Sequence, residues 1–299
     1  MIAHIQQLEK RNNREKRAYL KETLSGFGTP FQIQKFKAWF WNGENIIVDY
    51  PSSSSKETPS DAKKIFLTAH YDTVLGMPGA NDNASGVAVL LEVIERFMRE
   101  KPSGSNLRII FFDKEEGPPH MGLHGSENYV RAYGTDDIDR LYNLEMVGRG
   151  NVLIIWRDER EKDSPWIKEL VHRAAEYHMG VMMVPPKINI APFLPVRFIS
   201  DHFSFIRAGF LKAYCLTTIP ERDTAFARRV IIGKKHFVLL FSALRYYFMK
   251  RGDFPEIIRH YHNRRDRSEF LEPDALKRTA DLVCDIAVSN NSRGGLDSE

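Results

Sequence analysis

The run Ile65-Phe66-Leu67-Thr68-Ala69 is apolar on both faces and stops at a histidine, His70. A strand needs that composition when layers of other structure cover it on both sides. A Gly/Asn-rich turn follows, and then a segment from Ala84 to about Met98. In it Val87, Leu90, Leu91, Ile94 and Met98 recur three and four residues apart, the spacing of one helix face. The alternation then continues. Arg108–Phe112 reads as a strand and a helix begins near Gly125-Ser126. Arg140–Leu144 and Asn151–Trp156 read as strands, Trp166–Tyr177 as a helix, Phe210–Leu216 as a late strand, and 236–249 and 273–288 as closing helices. Strands alternating with helices predict an α/β fold, a largely parallel sheet covered on both sides.

Ahead of this core, residues 2–24 read as one helix. Phe31–Trp41 and Asn45–Tyr50 read as a hairpin turning at Asn42-Gly43, because both residues accept positive φ. Residues 51–64, rich in Ser and Pro, read as an exposed loop. The expected organisation is an N-terminal helical extension (1–29), a single domain (30–288) and a disordered tail (289–299). No internal repeat is present.

Charge and composition exclude several classes. With 43 basic and 39 acidic residues in 299 the net charge is +4, and much of the excess lies in the first 22 residues, which reads as the solvated face of a helix. There is no broad basic stripe interleaved with stacking aromatics, so no nucleic-acid partner is expected. No apolar stretch reaches the length of a membrane span, and the N-terminus lacks the apolar core of a secretory signal. A cytoplasmic location is therefore expected. Cys215 and Cys284 sit in apolar runs and read as two buried free thiols.

In parallel sheets, sites form where strands end. His70, Glu115-Glu116 and Glu145 each follow a strand directly, so three potential ligands converge on one sheet edge. His70 is a competent metal ligand, and Asp72 can receive its other ring N–H. Asp82, in Gly79–Gly86, reads alone as a helix N-cap. Twelve residues after His70, it can also return to the same edge and bridge two cations. Glu115 and Glu116 repel one another unless a cation compensates them. His260-Tyr261-His262 adds a later imidazole pair. Taken singly, each of these has an ordinary structural explanation. His4, His172, His178 and His236 read as ordinary helix or surface residues, and His120 and His124 as loop residues.

Six blocks in order, FLTAHYDTV, GANDNASGVAVLLE, IIFFDKEEG…GLHGSENYV, NLEMVG, ISDHFSFIRAGF and YHNRRDRSEFLEPDAL, resemble the M28 family of zinc aminopeptidases over roughly residues 45–285. The resemblance implies a three-layer α/β/α sandwich on a mixed, mostly parallel sheet of about eight strands. It also implies two zinc ions bridged by Asp82, one completed by His70 and Glu145, the other by Glu116 and His262. Cobalt or manganese would suit the same donors. Glu115 would be the general base and acid, Asp72 the partner of His70, and Tyr261 a donor to the oxyanion. The Ser200-Asp201-His202 block would be supporting structure. The implied reaction removes N-terminal residues from a peptide or aminoacyl substrate through a zinc-activated water.

Two features depart from the family pattern. Glu145 stands where the family usually has Asp, and the stretch Gly117–Leu123 is longer than usual. Two alternatives share the scaffold: a single-zinc glutaminyl cyclase, and an interaction module without catalysis. The DNASG stretch resembles the peptidase pattern more than the cyclase one, and every ligand position keeps a competent donor.

Overall fold

The computed structural model describes residues 1–38, 41–50, 63–102, 106–117, 122–189, 197–228 and 259–288. The expected helix 236–249, the tail 289–299, His120, His236 and most of the 51–64 loop lie outside the described residues.

The eight strands of the main sheet are β1 (Gln32–Ala38), β2 (Trp41–Tyr50), β3 (Lys64–His70), β4 (Leu107–Phe112), β5 (Ile138–Leu144), β6 (Val152–Trp156), β7 (Gly180–Val184) and β10 (Ala213–Ile219). Their spatial order is β1-β2-β4-β3-β5-β10-β6-β7. The centre is parallel: β3 pairs with β4 and β5, and β5 with β10. The β1–β2, β2–β4 and β6–β10 pairs are antiparallel, and β7 adds to β6 in parallel. A separate two-stranded ribbon joins β8 (Ile188–Asn189) to β9 (Arg197–Phe198).

Alternating side chains of the central strands feed two cores. Ile65, Leu67 and Ala69 face one layer, with Leu90 and Ile94 of α3 (Ser85–Glu100), Leu170 of α5 (Pro165–Glu176) and Leu276 of the closing helix Pro273–Val288. Phe66 faces the other, with Tyr129 of α4 (His124–Tyr133) and Phe205 of α6 (His202–Arg207). This is the expected α/β/α sandwich on a mixed sheet. Strand β7 and helix α6 were not anticipated. At the sheet edge β7 buries only alternate residues, so it carries no continuous apolar run.

Four local expectations are corrected. Residues 2–24 form two helices, α1 (Ile2–Leu8) and α2 (Asn13–Gly26). The break is a capping box: Asn12 Oδ1 accepts from Glu15 N–H at 3.1 Å, and Glu15 Oε2 accepts from Asn12 N–H at 3.0 Å. The hairpin does not turn at Asn42-Gly43. Ala38 pairs with Trp41, and Gly43 lies inside β2 opposite Phe36, whose ring occupies the space a Cβ would fill. The basic N-terminal run is not wholly solvated either, since Lys16 is 1% exposed. Both cysteines are free, but only Cys215 is fully buried.

Candidate metal centre

Strand order brings the donors together. Because β4, β3 and β5 are neighbours, their carboxyl ends release Glu115-Glu116, His70 and Glu145 side by side. His70 Nε2 lies 3.3 Å from Glu145 Oε1 and 4.0 Å from Glu115 Oε2. Asp82 and His262 arrive from elsewhere, the first from the turn between β3 and α3, the second from the segment before the closing helix.

Asp82 is the pivot. Its Oδ1 lies 3.3 Å from His70 Nε2 and its Oδ2 lies 3.3 Å from His262 Nε2. Glu116 Oε1 is 3.0 Å from His262 Nε2. The donors therefore fall into two groups, His70–Asp82–Glu145 and Asp82–Glu116–His262, each with ligand atoms within 4.8 Å of one another. Asp82 makes no N-cap bond to α3, whose cap position is Ala84.

The turn bearing Asp82 is bolted to the loop after β5. Asn81 Oδ1 accepts from Gly148 N–H at 2.9 Å, and Asn83 donates to the Leu144 carbonyl at 2.7 Å. Ser85 Oγ donates to the Asn81 carbonyl and accepts from Val147 N–H. A Cβ on Gly86 would lie 2.6 Å from Asn83 Oδ1 and 2.9 Å from the Leu144 carbonyl. The polar residues of the GANDNASG block are thus consumed in fixing one carboxylate.

Two buried aspartates clamp backbone. Asp72 accepts from the amides of Glu115 and Glu116, both at 3.1 Å, and its Oδ1 lies 3.5 Å from His70 Nδ1. Asp266 accepts from the amides of Asn81 and Asp82 at 2.8 and 3.0 Å. Sequence reasoning assigned no role to Asp266; its one signal was an acid four residues beyond His262. Ser200 was expected to be supporting structure. Its hydroxyl donates to Glu145 Oε2 at 2.6 Å and accepts from Asn143, which itself accepts from Thr68. Glu145 thus has one oxygen toward His70 and one held by Ser200. Three segments pass through a non-glycine residue at left-handed φ: Lys114 (62°), Met146 (52°) and His262 itself (50°). Each such residue costs on the order of 1 kcal/mol, strain that surrounding contacts must hold.

Tyr261 stacks on His262 with centroids 3.8 Å apart. It lines a cavity with Asp82, Glu115, Glu145, Met146, Trp156, Ser200 and Cys215. His202 borders the same cavity but is buried, and its Nε2 pairs with the Pro186 carbonyl. Burial pushes it down to about 3, so it stays neutral. His260 pairs with Arg149. His172 is exposed beside Glu176 and His4 pairs with Tyr19.

The electrostatics call for cations. Burial alone lowers the His70 imidazole, but Glu145, Glu115, Asp72 and Asp82 carry it well above its ordinary value. His262 is likewise lowered by burial, yet hydrogen bonds to Asp82 and Glu116 take it up to about 10. Burial raises Glu115 and Glu116 above the carboxylate range. Glu115, Glu116, Glu145 and the two imidazoles thus hold protons that a divalent ion would replace, while Asp82, held low by both imidazoles against the pull of burial, stays ionised. A mixed nitrogen and oxygen donor set suits zinc.

Fold and site together define an α/β/α protein whose sheet edge carries two acid–imidazole groups joined through one aspartate. The chain belongs to peptidase family M28, whose sequence model matches residues 45–287. It is 42% identical over 165 residues to aminopeptidase YwaD of Bacillus subtilis (strain 168), covering 53% of this chain and 33% of that protein. With the probable lipoprotein aminopeptidase LpqL of Mycobacterium tuberculosis it shares 37% over 113 residues, 38% of this chain and 19% of that protein. The chain spans a third or less of the length of these two relatives. Among solved structures, Porphyromonas gingivalis glutaminyl cyclase superposes with a TM-score of 0.67 at 20% identity, covering 96% of this chain and 95% of that one. The zinc aminopeptidase BSAP from Bacillus subtilis gives 0.54 at 22%, covering 83% and 49%. At these identities the likeness is one of fold.

Proposed function

We propose that the chain is a zinc-dependent aminopeptidase that uses two metal ions. The observation that carries this reading is the placement of Asp82, with one oxygen toward His70 and the other toward His262 at 3.3 Å each. One carboxylate facing two donor groups suits a bridging ligand. His70 and Glu145 would complete one site, Glu116 and His262 the other. Membership of family M28 and the aminopeptidase relatives support the same reading. Bound ions lower the pKa of a water and polarise a carbonyl.

The chain's own residues do the rest. Glu115 lines the cavity, with Oε2 4.0 Å from His70 Nε2, and its backbone amide is held by Asp72. Its buried carboxyl sits above the ordinary range, which suits a group that takes a proton from water and returns it to the leaving amine. Burial and the neighbouring acids hold the Tyr261 phenol well above its usual value. It therefore keeps its proton and can donate it in a hydrogen bond to the oxyanion.

The test is hydrolysis of free-amine and N-blocked aminoacyl amides by metal-reconstituted protein, with a chelator control. Cleavage restricted to free-amine substrates and abolished by chelator supports the reading. Cyclisation of N-terminal glutaminyl peptides without peptide cleavage would replace it with the chemistry of the cyclase neighbours. A cytoplasmic location is part of the same proposal.

A further inference from the structure

Helix α2 delivers a buried cation beneath the site. Lys16 is 1% exposed, and its Nζ donates to Thr73 Oγ1 at 3.2 Å and to the Pro78 carbonyl at 3.5 Å. Those two acceptors belong to different arms of the site. Thr73 follows Asp72, the clamp on Glu115 and Glu116, and Pro78 leads into the turn that presents Asp82. Asn13, one helical turn earlier, grips Thr73 by its backbone N–H (3.0 Å) and carbonyl (3.1 Å). Glu9 reaches a third arm, accepting from Ser268 N–H at 2.7 Å and Oγ at 3.0 Å, two residues beyond Asp266. Burial pulls the Lys16 ammonium down to about 8, and Asp72, Asp82, Asp266 and Glu116 act against that lowering. Both backbone-clamping aspartates, with Asp82 and Glu116, thus act to keep it charged.

From this geometry we infer that Lys16 is a positioning residue of the metal centre, an internal counter-ion that ties the Asp72–Thr73 arm to the Asp82 turn and holds the Asp82–Glu116–His262 group in register. The inference rests on the two-metal reading above. Removing the ammonium leaves Asp72 and Asp266 buried without their cation, and the backbone they clamp loosens. The group of Asp82, Glu116 and His262 loses most, because the Pro78 acceptor leads into the Asp82 turn and Thr73 adjoins the clamp on Glu116.

The experiment is cobalt titration of the whole chain, followed by the visible absorption of bound cobalt and by competition with a chromophoric chelator. Wild type, Lys16→Met, Thr73→Val and Lys21→Met are compared, with melting of each metal-free protein alongside. Thr73→Val removes the hydroxyl that accepts from Lys16 and donates to Asn13 Oδ1 at 3.3 Å, and serves if Lys16→Met does not fold. Lys21→Met, on the same helix as Lys16, removes a peripheral pair with Glu44 of β2 and reports mere loosening of α2. The expected result is two ions in wild type and in Lys21→Met. In Lys16→Met one ion should bind at least about 10-fold more weakly, the scale for residues supporting metal ligands, with a smaller loss of the same kind in Thr73→Val. Unchanged or tighter binding of both ions overturns the inference. So does equal weakening of both in parallel with the melting temperature. A wild type that binds one ion or none fails at the earlier step, the two-metal reading, before any variant is compared.

Discussion

Ser200 Oγ donates a 2.6 Å hydrogen bond to Oε2 of Glu145 while Oε1 of that carboxylate faces His70 Nε2 at 3.3 Å. Glu145 stands where the family pattern has the shorter Asp, and a longer side chain has one more torsion to hold. The Ser200 hydroxyl, positioned by Asn143 and Thr68, holds it. Ser200→Ala should therefore weaken one metal site about 10- to 100-fold, the range for residues that orient ligands. Metal titration checks this; an unchanged affinity means Glu145 is oriented without Ser200.

Glu115 and Glu116 are neighbours with separate expected duties. Glu115→Gln should keep both ions and lower kcat by about 10²- to 10⁴-fold, the usual contribution of a general base. Glu116→Gln should instead lose metal first. Stoichiometry by elemental analysis alongside kcat separates the two. Full activity in Glu115→Gln would remove it from the base role.

Metal uptake should release protons. His262 stands at about 10 in the metal-free fold against 6.5 for the free side chain, so at neutral pH an entering ion displaces its proton. Calorimetric titration in buffers of different ionisation enthalpy should show at least one proton released per chain near pH 7; none would contradict the pairing. The stability sign follows. A folded value above the unfolded one gives stabilisation that is complete below about pH 6.5 and lost as pH rises through about 10. Chelated protein should therefore melt higher at pH 6 than at pH 9.5, whereas saturating metal should flatten that fall by binding the native state alone.

Gly86 has no room for a side chain, because Asn83 and the Leu144 carbonyl pass within 3 Å of where a Cβ would be. Gly86→Ala should destabilise the fold by about 1–3 kcal/mol through overpacking and weaken metal binding by displacing the Asp82 turn. Denaturant melts and metal titration together test this, and wild-type values in both would show that the turn yields freely.

A core truncation provides the contrast. Leu90 is fully buried between α3 and the sheet, and Leu90→Ala should cost about 2–5 kcal/mol. Metal stoichiometry measured below the melting transition should stay at the wild-type value. Loss of an ion there would mean that core packing and the site are not separable.

The layers and the candidate donors are legible in local composition. Apolar runs such as Ile65–Ala69 and the helical spacing of Val87 to Ile94 report burial, and burial periodicity is a local property of the chain. His70 and Glu145 were legible because a titratable residue directly after an apolar strand falls at the sheet edge whatever the loops do. The tertiary structure decided what depends on partners far along the chain. Lys16 lay in a basic run that looked solvated, and its acceptors Thr73 and Pro78 lie more than fifty residues away. Asp266 and Ser200 gain their roles only where strand order and the closing segment deliver them to Asp82 and Glu145. Asn42-Gly43 had the composition of a turn, yet the register pairing Phe36 with Gly43 placed it within a strand. In each case the deciding energy is a long-range contact, a buried charge finding its counter-charge or a ring filling a missing side chain, and no local pattern encodes which distant residue will be there.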